Sequence, residues 1–108
     1  MQLYSKIKGV GSYVPAQVVS NQMLEQTLDT SHEWIVSRTG IEERRISSDA
    51  ESSAFMAIEA AKKALAVAGV SPEDIDMVVV GTTTSTYVMP STACEVAAGL
   101  GLSGVTAF

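Results

Sequence analysis

The residue types best suited to chemistry in this chain concentrate in one stretch, residues 29–45. An otherwise acidic sequence places its single tryptophan, its single histidine and all of its arginines there. These residues are Trp34, His32, Arg38, Arg44 and Arg45. Such a concentration of aromatic and cationic side chains marks the stretch as the first candidate for a binding site.

Trp34 and Arg38 are four residues apart, so on a helix they lie on one face about one turn apart. Asp29 or Ser31 can cap such a helix at its start, and Gly40 can end it. An indole beside a guanidinium suits a ligand that carries both an aromatic ring and phosphates. The alternative is structural: Trp34 anchors the core and Arg38 covers it.

Two further residues are candidates for catalysis, Cys94 and His32. Cys94 lies in the first turn of a predicted helix, where the helix dipole favours a thiolate. Its apolar neighbours instead favour a buried structural cysteine. No pattern pairs His32 with Cys94, so His32 is interpreted as an exposed helix residue. We therefore expect neither residue to be catalytic.

The elements that must position these residues follow an α/β pattern. Leu3 to Val14 is predicted as a strand that ends at Pro15. A capping box at Ser48–Glu51 precedes a helix with a buried apolar stripe and a terminal Gly69. Ile75 to Thr82, apolar on both faces, is typical of a central parallel strand covered by helices. The hydroxyl-rich loop after it lies where α/β sheets bind ligands.

Composition excludes several classes of function. The formal net charge of −5 gives no support to nucleic-acid binding. One cysteine and one histidine are too few for an internal disulfide or an ordinary zinc site. No apolar run approaches the ~20 residues that span a bilayer, and no signal sequence follows Met1, so we expect a cytoplasmic protein without a membrane segment. The arginines either form a positive patch for an acidic partner or belong to a solvated strand with compensating charges.

Three segments of the chain resemble segments of a known family and follow one another in the same order as in that family. They are the opening run from Ile7 to Pro15, the run from Asp29 to Arg45, and the run from Val78 to Cys94. Together they resemble the β-ketoacyl-acyl carrier protein synthase III family of the thiolase superfamily. One departure is His32, where an acidic residue is more usual. The resemblance implies an α/β fold: the N-terminal portion of a thiolase-like layered fold, with mainly parallel central strands and covering helices.

The resemblance also assigns roles to individual residues. Trp34 would stack on the adenine of coenzyme A, Arg38 would contact the phosphates, and Thr30 and Thr39 would line the same tunnel mouth. Thr83 and Met89 would shape the acyl pocket, with Met89 reaching across a dimer interface. Met89 replaces an expected aromatic residue and, being flexible, could admit a different acyl primer. No metal ligand is implied, and a coenzyme A thioester is a substrate, so no cofactor is expected.

The resemblance implies a condensing enzyme that joins an acyl-CoA to malonyl-acyl carrier protein at the start of fatty acid synthesis, as a homodimer. The family's catalytic cysteine, histidine and asparagine lie further along such proteins. Residues 1–108 are therefore predicted to be an N-terminal segment of one thiolase-like domain, inactive alone, that ends before the catalytic-cysteine helix. The alternatives are a thiolase-superfamily acyltransferase of secondary metabolism and a non-catalytic binding module.

Overall fold

The structure is a computed structural model that describes residues 3–108. The chain forms two compact units, each described here by itself. Unit 2 contains residues 14–50, and unit 1 contains the described residues up to Tyr13 together with those from Glu51 to Phe108. The elements in chain order are β1 (Gln17–Ser20), α1 (Asn21–Glu25), α2 (His32–Thr39), β2 (Glu43–Ile46), α3 (Ser53–Ala68), a 3₁₀ turn (Pro72–Asp74), β3 (Met77–Val78), α4 (Thr92–Gly99) and β4 (Thr106–Ala107).

Unit 2 is an antiparallel ribbon with two short helices. Strand β1 pairs with β2 so that Gln17 lies opposite Ile46 and Ser20 opposite Glu43. Helix α2 starts at the cap Ser31, whose side chain accepts from the Trp34 amide, and ends at Gly40 in the left-handed region with φ 69°. The predicted helix around Trp34 is therefore confirmed. Strand β1 was not predicted, because its sequence shows no strong alternation of apolar and polar residues.

The long helix of unit 1, α3, starts later than the capping box at Ser48–Glu51 predicts. Ser52 is its N-cap and accepts from the Phe55 amide, and Gly69 ends it with φ 63°. Glu51 accepts a 2.5 Å hydrogen bond from the Tyr13 hydroxyl instead. This bond raises the pKa of Tyr13, because the carboxylate holds the phenol proton and opposes a phenolate. The ring of Tyr13 also makes an edge-to-face contact with Phe55, at 5.5 Å between centroids.

The predicted strand from Leu3 to Val14 is wrong for residues 3–14, which form no hydrogen-bonded ladder. The segment passes along α3, where Gly9 and Gly11 bring the two backbones together. A Cβ on Gly9 would collide with the Ala64 carbonyl, and one on Gly11 would collide with the Ala60 carbonyl. A strand needs a neighbouring strand to pair with, and a hydrophobic pattern by itself does not supply one.

The parallel pair of unit 1 is formed by β3 and β4, with Met77 opposite Thr106 and Val78 opposite Ala107. The pairing extends past the strand ends, because the Val80 amide donates to the Phe108 carbonyl at 3.0 Å. The buried apolar residues lie on the two covering helices: Ala54 on α3, and Ala93, Val96 and Ala97 on α4. An α/β arrangement is confirmed, although the regular strand is shorter than the predicted Ile75 to Thr82.

Two properties of residues 3–108 concern membranes and metal ions. No helix in this range is long and apolar enough to cross a membrane. The same residues contain no cluster of three or more histidine, cysteine, aspartate or glutamate side chains arranged to hold a metal ion.

Candidate functional site

Helix α2 presents Trp34 and Arg38 together on the surface of unit 2. Trp34 is 58% exposed, so within the described residues it does not serve as a core anchor. The guanidinium carbon of Arg38 lies 5.9 Å from the centroid of the indole ring, within cation–π range. The structure therefore brings together the pair that the spacing predicted, and leaves indole surface free for a planar ligand.

A cavity of about 390 Å³ opens beside the indole, lined by Asp29, Thr30, Ser31 and Trp34. Thr30 is half-buried there, and its predicted place at the mouth of a coenzyme A tunnel stays a prediction. The start of α2, which borders this cavity, is already supplied with acceptors: Ser31 accepts from the Trp34 amide at 3.1 Å, and the Glu25 carboxylate accepts from the His32 amide. Two of the first-turn amides of α2 therefore already have acceptors, and the guanidinium of Arg38 is the charged donor that this helix offers to a phosphate.

Thr39 lies at the far end of α2, and its hydroxyl is used within the chain. It donates to the Ile35 carbonyl at 2.8 Å and accepts from the Ile41 amide at 3.1 Å. Thr39 is not among the residues that line the cavity beside Trp34. Its predicted contact with coenzyme A stays a prediction, and the contacts described here instead give it a role in ending the helix.

The residue that organises this part of the molecule, Asn21, was missed by sequence reasoning. Asn21 is fully buried. Its amide nitrogen donates to the Ile41 carbonyl at 2.7 Å and lies 3.3 Å from the His32 ring Nδ1. Its amide oxygen accepts from Arg44 at 2.7 Å. An asparagine after a serine is an ordinary helix-start pattern, so its sequence gave no signal of this role.

Arg44 and Arg45 act as internal donors of unit 2. Arg44 is half-buried and, besides Asn21, donates to the Val19 carbonyl at 3.2 Å. Arg45 donates to the Pro15 carbonyl at 2.9 Å. Both guanidinium groups thus hold backbone of the ribbon in place. Of the three arginines, Arg38 is the one that contacts the Trp34 ring, and within residues 3–108 its guanidinium donates to no acceptor that would occupy it.

Thr83 and Met89, the predicted acyl-pocket residues, lie in the exposed loop of unit 1 that follows β3. Met89 is 84% exposed and precedes a cis peptide bond to Pro90. A cavity of about 210 Å³ opens beside this loop, and its lining includes Thr82, Ser85 and Val88 but neither predicted residue. The loop is in the predicted position after the strand, and the contact of Thr83 and Met89 with an acyl chain stays a prediction.

Cys94 and His32 differ from what their sequence surroundings predict. Cys94 is exposed rather than buried, and its sulfur accepts from the Ser91 hydroxyl at 3.3 Å. Ser91 is the N-cap of helix α4. His32 is half-buried against Asn21 rather than exposed. The two residues lie in different compact units.

Sequence comparison finds close relatives along nearly the whole chain, although no protein-family model matches it. A β-ketoacyl-[acyl-carrier-protein] synthase III from Serratia proteamaculans is 56% identical over 106 residues, which cover 98% of this chain and 33% of that protein. A synthase III from Vibrio parahaemolyticus is 53% identical over 106 residues, 98% of this chain and 34% of its own length. The chain thus spans about one third of the length of the curated relatives it matches.

Structural comparison agrees with the sequence. The 3-oxoacyl-[acyl-carrier-protein] synthase III of Aquifex aeolicus superposes with a TM-score of 0.92 at 50% identity, over 95% of this chain and 33% of that one. The priming β-ketosynthase of the R1128 polyketide pathway gives a TM-score of 0.92 at 40% identity, over 95% of this chain and 31% of that one. The fold of this chain is therefore that of a thiolase-like segment.

Proposed function

Because this chain is a segment of the β-ketoacyl-[acyl-carrier-protein] synthase III type, we propose that the protein containing it is a decarboxylative condensing enzyme. The acyl group of an acyl-CoA passes to an enzyme cysteine outside residues 1–108, and coenzyme A leaves as the thiol. Malonyl-acyl carrier protein then loses CO₂, and the resulting carbanion attacks the acyl thioester. The enzyme cysteine leaves as the thiol, and the product is a β-ketoacyl-acyl carrier protein that starts a fatty acid chain. The protein acts as a homodimer in the cytoplasm.

The segment described here contributes binding surface to this reaction and no catalytic residue. The observation that carries the proposal is the exposed Trp34 with Arg38 beside it on α2. A stacking surface for adenine and a bidentate donor for phosphate are the groups that a coenzyme A recognition site requires. Thr30 extends this surface into the adjoining cavity. Coenzyme A leaves as product, so no cofactor is needed for this chemistry.

The acyl-pocket role of Thr83 and Met89 is a further part of the proposal. Both residues lie in the loop after β3, at the carboxyl end of a parallel strand, where ligands bind in α/β sheets. A methionine in this loop is a flexible wall, which favours a different or longer acyl primer than a rigid aromatic residue would.

A second candidate function is priming in secondary metabolism. The structural match to the R1128 priming β-ketosynthase supports it, since its TM-score equals that of the Aquifex enzyme. The identity is lower, at 40% against 50–56% for the synthase III proteins above. We therefore favour fatty acid initiation. Condensation assays with a fatty-acid carrier protein and with a polyketide carrier protein, side by side, distinguish the two.

The test of the binding role uses the full-length protein and the variants Trp34→Ala and Arg38→Ala. We expect Trp34→Ala to weaken coenzyme A binding by ~1–3 kcal/mol, the range for loss of an aromatic partner of a base. The change should appear chiefly in KM for acyl-CoA, because both residues hold the non-reacting end of the substrate. Calorimetric titration beside a thermal melt measures both properties.

Cys94→Ser is the matched control, since Cys94 is exposed on another helix and is assigned no role. It should leave coenzyme A affinity and acyl transfer unchanged. A Trp34→Ala protein that melts at a lower temperature but binds coenzyme A with unchanged affinity would refute the binding role.

A further inference from the structure

Helix α2 is attached to the rest of unit 2 at both of its ends, and the same buried side chain makes both attachments. At the first residue of α2, the ring Nδ1 of His32 lies 3.3 Å from Asn21 Nδ2. Just beyond the Gly40 cap, the carbonyl of Ile41 accepts from the same Nδ2 at 2.7 Å. Trp34 and Arg38 lie between these two attachments.

Asn21 is itself held in one orientation. Its backbone amide donates to the Glu42 carbonyl at 3.0 Å, and its side-chain oxygen accepts from Arg44 Nη2 at 2.7 Å. Arg44 is tied in turn to the Val19 carbonyl. Because Arg44 can only donate, it requires the oxygen of the Asn21 amide on its side, and the nitrogen is then directed at α2. A fully buried amide with every partner in place has little freedom to move.

Packing by itself supplies little of this restraint. Within residues 3–108, helix α2 contains no buried residue, and strands β1 and β2 bury none of their side chains. The position of the helix therefore depends on hydrogen bonds at its ends. A ligand held by stacking and by a bidentate guanidinium is sensitive to such a position, because both contacts are directional.

We propose that Asn21 is a positioning residue for the coenzyme A site: it touches no substrate, and it holds α2 so that Trp34 and Arg38 meet the nucleotide together. This inference rests on the proposed function and extends it to a residue outside the binding surface. It predicts that an Asn21 variant loses affinity for the nucleotide end of the substrate while the chemical step is spared.

The variant Asn21→Asp separates positioning from folding. A carboxylate still accepts from Arg44 and can accept from the His32 ring in its Nδ1–H tautomer, but it cannot donate to the Ile41 carbonyl and repels it. The attachment at the C-terminal end of α2 is therefore lost. His32→Ala removes the ring attachment at the N-terminal end. Arg45→Ala is the control, since Arg45 lies on the same strand as Arg44 and contacts neither Asn21 nor α2.

In the full-length protein we expect Asn21→Asp to raise the Kd for coenzyme A, measured by calorimetry, at least tenfold, and KM for acyl-CoA in parallel. The kcat at saturating acyl-CoA and KM for malonyl-acyl carrier protein should stay within twofold. Amide exchange, followed by mass spectrometry, should accelerate in residues 32–41 and not in α3. His32→Ala should raise the same Kd severalfold, and Arg45→Ala should leave it unchanged.

The inference is overturned if a folded Asn21→Asp protein binds coenzyme A as the wild type does. If Asn21→Asp does not fold, His32→Ala decides, and an unchanged Kd in that variant overturns the inference. A different result would show that the proposed function is wrong: the wild type would not bind coenzyme A, or Trp34→Ala would bind it with unchanged affinity. Loss of affinity in Trp34→Ala with none in Asn21→Asp leaves the binding role standing and removes the positioning role.

Discussion

Each of the two compact units is stabilised internally by a different kind of interaction. In unit 1 the buried side chains are mostly small and apolar, such as Ala54 on α3 and Ala93 and Val96 on α4. In unit 2 the fully buried side chain is a polar one, Asn21, and hydrogen bonds radiate from it to α2, the turn after α2, and β2. Apolar packing tolerates small shifts, whereas hydrogen bonds specify direction. The unit that carries the predicted nucleotide surface is the one built on directional contacts.

A second contrast lies in what each unit leaves on its surface. Unit 1 exposes large apolar side chains along its first segment and along its strand and loop region, for example Ile7 at 82%, Val79 at 63% and Val88 at 96%. Unit 2 also exposes apolar side chains, such as Leu28, but its exposed aromatic residue, Trp34, is paired with a cation. Extended apolar surface is typical of faces that pack against further protein, and an aromatic–cation pair is typical of ligand recognition.

Among the substitutions that test this comparison, we expect Gly11→Ala in unit 1 to change the free energy of unfolding most. The added Cβ would collide with the Ala60 carbonyl and the Ala64 amide of α3. Since backbone cannot move aside as a side chain can, we expect the free energy of unfolding of the full-length protein to fall by about 3 kcal/mol, the upper end for overpacking. Urea denaturation measures it.

Gly81→Ala provides the control, because no atom lies within 4 Å of the Cβ it would add. Its stability should match or slightly exceed that of the wild type. Equal stabilities for the Gly11 and Gly81 variants would mean that the segment before Val14 does not pack on α3 as described.

A smaller effect is expected from Arg44→Met in unit 2. Methionine fills similar volume but leaves the buried Asn21 oxygen and the Val19 carbonyl without this donor. A loss of about 2 kcal/mol in unfolding free energy follows from an unsatisfied buried acceptor. Arg45→Met, on the neighbouring and exposed position, removes the hydrogen bond to the Pro15 carbonyl and should cost less, about 1 kcal/mol, the net contribution of one such bond. If both substitutions lower the free energy of unfolding equally, the hydrogen bonds to Asn21 add no stability of their own. The proposed difference between the two units would then be wrong.

The smallest effect concerns pH and belongs to the Tyr13–Glu51 hydrogen bond of unit 1. Because the pKa of Tyr13 is raised in the folded state, the protonated phenol stabilises the fold. This contribution is complete below the unfolded-state pKa of a tyrosine, near 10.0, and is lost as pH rises through the higher folded-state pKa. Thermal melts on either side of that pH should therefore show a steeper alkaline loss for the wild type than for Tyr13→Phe.

Tyr87→Phe, in the exposed loop, controls for the loss of a phenol. Identical alkaline slopes for the wild type and Tyr13→Phe would show that this hydrogen bond contributes nothing to stability.

Local signals in the sequence predicted the helices well and the strands poorly. The sequence placed α2 between a cap at Asp29 or Ser31 and an end at Gly40, because caps and left-handed glycines act within a few residues, and the structure selects Ser31 as the cap. The start of α3 was predicted too early, since Glu51 bonds to Tyr13, a residue far away in the chain. The expected strand before Pro15 failed for the same reason, because a ladder depends on a partner that local sequence does not reveal.

The features of the candidate site also fall into two groups, those that local sequence predicts and those that depend on tertiary contacts. The sequence by itself determined that Trp34 and Arg38 share a helix face, since α-helical periodicity is local and strong, and its similarity to synthase III identified the family. Only the tertiary structure decided that Trp34 is exposed, that Arg44 and Arg45 serve the ribbon, and that Asn21 connects both ends of α2. These outcomes depend on which groups meet after the chain has folded, and hydrogen-bond partners distant in sequence leave no periodic trace along it.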